Sequence, residues 1–179
     1  DGETLARRMA ADLNPLVDAL WSQGYFNAEV ALVVDGVALR VGAEPDARLV
    51  RALESHRNRE PVPITATIRP GPVFALRQVD VAERGASGAP AIADPLKVSR
   101  LKPGDPATSA SLRSARAALV DHLRAQSRPL ARVVELRPVV DHAARVMDVT
   151  YVVEPGPVAG FGTVSVAETG DIPPAVIRS

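Results

Sequence analysis

The chain has no cysteine in its 179 residues. That excludes disulfides, thiolate zinc sites and cysteine nucleophiles, and it fits a reducing or an oxidising compartment equally. Aromatic residues are scarce, 3% with a single tryptophan, so the cores have to be built from Val, Leu, Ile and Ala. Net charge is lacking too. The 21 basic and 21 acidic residues cancel, which removes the electrostatic footprint of a nucleic-acid or acidic-surface binder. No apolar run approaches the roughly 20 residues of a membrane-spanning helix. No secretory leader is seen, but the chain opens inside a helical pattern, so an upstream part is expected to be missing. The remainder, 46% hydrophobic and 23% charged, is an ordinary globular mixture.

What the chain has in quantity is repetition. Residues 64–81 read ITATIRPGPVFALRQVDV and residues 149–166 read VTYVVEPGPVAGFGTVSV. Each is an alternating apolar run, a PGP corner and a second alternating run. Gly71 and Gly156 lie 85 residues apart (156 − 71), a period that signals two copies of a small domain joined strand to strand. LVDALWSQGYFNAEV (16–30) also echoes LVDHLRAQSRPLARV (119–133) at an offset of 103 (119 − 16). The excess of 18 (103 − 85) is assigned to an insertion at about 42–60 in the first copy. The unit is then strand, helical segment, longer helix, strand, strand. The expected domains are 1–73, lacking its first strand and helix, then 74–159, then the start of a third at 160–179.

Local signals fill in the units. Leu5, Met9, Leu13, Leu16 and Leu20 give residues 3–23 an amphipathic helical stripe. Pro15 either bends that helix or marks two segments meeting near Asn14. Gly24 supplies the left-handed terminator. Residues 28–34 read as a strand, Asp35-Gly36 as a turn, and 37–41 as a short continuation. Residues 46–58 read as a short helix or an ordered loop, closed by Pro61 and Pro63. Strand 64–69 alternates as a half-solvated strand should. The next strand begins near Phe74, a loop spans 84–94, and a helical turn or two fits 95–101. Thr108 or Ser109 caps a helix over about 110–126. Strand 131–137, a turn at 140–142 and strand 146–153 complete the second copy. Residues 161–166 read as another strand and 171–179 as another helical segment.

A helix ending near GY, a strand, a VDG or VDH turn, and a strand running into EPGPVAGFGTVSV resemble POTRA (polypeptide-transport-associated) domains of the Omp85 superfamily. They are most similar to the periplasmic region of a TamA-type translocation and assembly module subunit. LKPGDPATSASLRSARAALVDHLRAQ resembles that family's L-x-x-G-D-P corner and following helix. Ser127-Arg128, where Gly and an aromatic are expected, and the insertion depart from the pattern. The resemblance implies an α+β fold of tandem POTRA repeats (βααββ), each a three-stranded sheet with two helices on one face. It also implies a periplasmic place ahead of an outer-membrane β-barrel. The implied role is assembly of outer-membrane or autotransporter proteins with a TamB-like inner-membrane-anchored partner. Related readings are a two-partner-secretion transporter, a central barrel-assembly protein, or a purely structural periplasmic spacer.

Catalytic chemistry finds little footing, and neither an enzyme, a cofactor nor a metal is expected. His56, His122 and His142 have no ligand-spaced neighbour, and Asp121 and His122 point about 100° apart on a helix, which is wrong for a triad. LKPGDPATS lacks the phosphate-loop lysine, and its prolines remove backbone donors. Trp21 and Tyr25 read first as packing and second as an exposed client patch. Binding has a clearer mechanism. An open sheet edge carries unpaired N–H and C=O groups that can take up an extended segment of another protein. By the resemblance, that edge is the strand after the longer helix. The candidate residues are therefore Glu29, Val30, Ala31 and Leu32 in the first copy, and Arg132, Val133, Val134, Glu135, Leu136 and Arg137 in the second. Arg132 and Arg137 can equally serve to protect that edge from pairing.

Overall fold

The computed structural model describes residues 1–56, 61–85, 90–160 and 162. The strand and helical segment expected at 161–166 and 171–179, and with them the start of a third domain, fall almost wholly outside the described residues. The rest is a mixed α+β protein with two three-stranded sheets, each backed by helices and its own apolar cluster.

The first sheet grows out of helix α1 (Gly2–Ser22). It runs unbroken through Pro15, which lies on the exposed side. The buried stripe is Ala6, Met9, Leu13 and Val17, rotated from the expected leucines, so Leu5 and Leu16 flank it partly exposed. Gly24 (φ 89) ends the helix: its N–H donates to Trp21 O, and Tyr25 N–H reaches back to Leu20 O. That doubled return closes the last carbonyls, as a left-handed cap should. β1 (Glu29–Val34) and β2 (Val37–Arg40) follow, joined by Asp35-Gly36 with both residues at positive φ, the geometry of a tight hairpin turn. The region expected as an insertion forms α2 (Ala47–Ser55), capped by Asp46, whose Leu49 and Leu53 enter the first core. β3 (Thr65–Arg69) then pairs with β1, giving the order β2-β1-β3. The expected half-solvated strand is exposed along its whole length.

The second sheet follows the βααββ order: β4 (Ala75–Glu83), α3 (Pro95–Ser99), α4 (Ser109–Ala125), β5 (Arg132–Asp141) and β6 (Val146–Glu154). Asp94 and Thr108 cap the two helices. β6 is central, parallel to β4 and antiparallel to β5. β5 runs four residues past the expected 137, so the turn lies at 142–145 rather than 140–142. Leu112, Ala115, Leu119 and Leu123 of α4 pack on Met147, Val149, Tyr151 and Val153 of β6. The Tyr151 hydroxyl donates to Leu112 O at 3.0 Å.

The repeat survives at atomic detail. Phe74 N–H donates to Gly24 O (2.9 Å), and at the matching place Ala159 N–H donates to Ser127 O (2.8 Å). Ser127 takes the left-handed conformation (φ 59) that Gly24 takes in the first copy, so the cap outlives the loss of its glycine. Gly71 packs on Asn27 and Gly156 on Leu130. Phe74, fully buried, sets its ring edge-on to Phe26 (5.5 Å) and to His142 (5.8 Å), tying the two halves together where one hands over to the next. His142 Nδ1 also meets Asn27 Oδ1 at 2.6 Å.

Candidate functional site

Backbone docking needs an edge, and the two candidate strands differ in having one. β1 is the central strand of its sheet. Ala31 to Val34 pair with β2, and Glu29 to Val33 pair with β3. The expectation that Glu29, Val30, Ala31 and Leu32 form an open edge is therefore wrong. The Asp35-Gly36 hairpin folds β2 back onto β1 and uses up the ladder that would have been free. Only Glu29 and Val30 lack a β2 partner, because pairing starts at Ala31.

β5 is an edge. Among the described residues all its pairing is with β6, and no strand pairs with its other side. The opposite border of that sheet is blunted, since Leu76 N–H donates to Asp105 O and Gly104 N–H to Leu76 O, both at 2.8 Å, laying a loop along the start of β4. The β5 ladder shifts register between Val133 and Glu135, which leaves Val134 without an opposite residue and twists the strand there. Pro138 stands opposite Val149. A proline fits a strand only where its nitrogen points away from the ladder, so Leu136 and Val140, of the same parity, aim their N–H groups at the free side. The open border thus carries donors at Leu136 and Val140, with a gap at Pro138 between them. Leu136 and Val139 add exposed apolar surface.

The charged residues expected at this edge are engaged. Arg132 Nε donates to Glu154 (2.8 Å), and Arg137 holds Glu135 with two bonds of 2.8 Å. Hydrogen bonding from Arg137, with help from the charges of Arg137 and Arg84, keeps the Glu135 carboxyl below its ordinary range, and Arg132 does the same for Glu154. Val133 is buried, and its carbonyl accepts from Arg116 of α4 at 2.9 Å. Val133 is therefore an anchor of the strand, while Leu136 lies exposed on it. The ion pair has a mirror in the first sheet. Glu29 faces Arg69 (3.8 Å) where Arg132 faces Glu154, with the signs exchanged.

A second feature was not anticipated. Where β2 stops short of Glu29 and Val30, a groove of about 440 Å³ opens, lined by Trp21, Phe26, Val30 and Val41 with Arg40 and Arg69 at its rim. Trp21 is half exposed there, so the packing reading of that residue covers only part of it. Trp21 alone signalled the spot in sequence. Arg40 and Val41 carried no signal, because the groove depends on where β2 ends.

The histidines are dispersed. His56 Nε2 meets Asp35 Oδ2 at 2.7 Å, tying α2 to the hairpin turn, His122 sits beside Gln126 on α4, and His142 is at the junction. Among the described residues no helix is long and apolar enough to cross a membrane.

No family model matches the chain, and no curated protein matches it. Among solved structures it is similar to POTRA4 of Haemophilus influenzae BamA, at 22% identity over 49% of this chain and 97% of that one, with a TM-score of 0.39. It is also similar to the POTRA3-5 fragment of the same protein, at 17% identity over 94% of this chain, with a TM-score of 0.46. It spans 58% of that fragment. The α+β assignment rests on strand order and packing.

Proposed function

We propose that the chain is a tandem POTRA-type docking module from the periplasmic part of a Gram-negative outer-membrane assembly factor, taking up extended polypeptide segments along β5. The observation that carries this reading is a ten-residue strand that, among the described residues, is paired on one side only, with outward donors at Leu136 and Val140 and exposed apolar residues beside them. Main-chain pairing of this kind reads backbone more than side chains, which suits a protein that handles many unfolded barrel strands. In the finer reading the factor is TamA-type. Its partners are then a TamB-like inner-membrane-anchored protein, nascent autotransporter or outer-membrane polypeptides, and the β-barrel of its own chain.

The test is backbone amide mapping with an extended peptide copied from an outer-membrane barrel strand. Shifts over 132–141 that are absent at 29–34 are the expected result. A spectrum unchanged along β5 at millimolar peptide overturns the docking role. A spacer role is favoured by Pro138 and by the ion-paired arginines, which blunt an edge. In that case β5 stays silent.

A further inference from the structure

At the groove beside Trp21 the two copies differ in chemistry as well as in shape. At the repeat offset of 103, Leu13, Trp21 and Phe26 match Arg116, Arg124 and Pro129. Arg116 reaches from α4 to the Val133 carbonyl, so this stripe of the helix looks onto the strand that follows it. In the second copy the seam carries two arginines, and in the first it is apolar, with Trp21 47% exposed. The fold accepts polar residues along this seam, so packing alone does not call for a half-exposed indole there.

A backbone donor opens into the same groove. The two-residue turn at Asp35-Gly36 makes Val34 and Val37 a hydrogen-bonded pair, so Leu32 and Val30, of the same parity, aim their main-chain groups at the β2 side. Pairing ends at Ala31 and Arg40, which leaves the Val30 N–H without a ladder acceptor. The chain turns away at that point, Ala43 N–H donating to Arg40 O. Val30 belongs to the buried face, toward Val17, Trp21 and Phe26. Glu29 and Ala31 belong to the opposite face, in register with Arg69 and Arg40. Arg40 makes no ion pair among the described residues, and Arg69 has Glu29 alone, at 3.8 Å with both side chains largely in water. The rim therefore carries a surplus of positive charge.

We propose that this groove docks an extended segment of another polypeptide with the pattern acid, large apolar residue, acid. Successive side chains of an extended chain point to opposite faces. The middle side chain then lies on Trp21 and Phe26, its two neighbours bring carboxylates to Arg40 and Arg69 on the other face, and one main-chain carbonyl accepts from the Val30 N–H. A fatty acid has a single anionic end and does not set charge on both sides of an apolar group, so a polypeptide is the better fit. The site is separate from β5 and does not depend on docking there.

Trp21 is the sole tryptophan, so its emission reports on the groove directly. The probe is a blocked peptide of alternating threonine and valine with Asp-Phe-Asp at its centre, titrated into the full chain. A saturable blue shift is expected, with amide shifts at 28–31 and 40–41. Changing both aspartates to asparagine, or Arg40→Glu in the protein, weakens binding about tenfold. A Lys-Phe-Lys peptide binds the Arg40→Glu variant more tightly than the parent. Arg40 is exposed, and an unchanged amide pattern away from the groove checks that the variant folds. Emission that stays unmoved at millimolar peptide, or equal binding of the asparagine peptide, overturns the proposal. Dodecanoate that moves the emission where the peptide does not also overturns it, by making the groove a lipid site. Amide shifts confined to 132–141 overturn it too, while leaving docking at β5 intact.

Discussion

β1 and β5 begin alike and end in different places. Both follow the long helix, both pair antiparallel with the strand that leads into a PGP corner, and both start that pairing with an arginine–glutamate couple in the same register. Among the described residues one is interior and the other peripheral. The difference lies in what the chain does next. After β5 it turns at 142–145 and enters β6 directly; after β1 it makes a two-residue turn, adds β2 and α2, and only then reaches β3. The longer excursion of the first copy therefore changes more than a surface loop. It moves a strand from border to centre, and with it the edge whose N–H and C=O groups are left unpaired among the described residues.

The comparison is broken most strongly through the matched leucines. Leu119→Ala, in a fully buried site, should cost about 2–5 kcal/mol, whereas Leu16→Ala should cost less than about 1 kcal/mol, read from urea unfolding with probes in each half. Equal costs would mean that Leu16 is covered as fully as Leu119. Next come the helix caps. Gly24→Ala forces a side chain into φ 89 with its Cβ 3.1 Å from Val73 Cγ1, so a loss of more than about 1 kcal/mol is expected. Ser127→Gly removes the same strain and should gain up to about 1 kcal/mol.

Alkali sharpens the contrast further. Burial pushes the Tyr151 phenol up from 10.0 to about 12. The neutral phenol is thus favoured by folding. Its contribution is complete below pH 10 and declines as pH rises from there to about 12, because the unfolded chain ionises first. Unfolding midpoints of the second half should fall over that window, and Tyr151→Phe should flatten the fall. The first half carries Ala66 at the matching position and contributes no such term. Smallest is Glu29→Arg, which sets like charges face to face with Arg69 on an exposed site. It should cost under about 1 kcal/mol, and less in high salt.

Much of this architecture was readable beforehand because the signals are local. Alternating valines, capping residues and PGP corners each act within a few positions, and the repeat offsets fix which strand corresponds to which. Edge identity is a property of neighbours. It was nevertheless within reach at β1, since Asp35-Gly36 between two apolar runs implies that 37–40 folds back beside 31–34, while the repeat already supplied β3 on the other flank. Pro138 likewise marked β5 as peripheral and longer than its first six residues. The groove at Trp21 was not readable, since it depends on β2 ending one pair short of Val30. Nor was the rotation of the α1 stripe, which follows from α2 packing where the second copy has no equivalent helix.

The exchanged signs at the strand ends bear on how such a chain assembles. Tandem copies of one fold tend to trade elements with each other while still incompletely formed. Were β1 to settle against β6 in the native alignment, Glu29 would confront Glu154; were β5 to settle against β3, Arg132 would confront Arg69. Each correct partnership attracts at this position and each swapped one repels, so the reversed couple labels every strand with the copy to which it belongs.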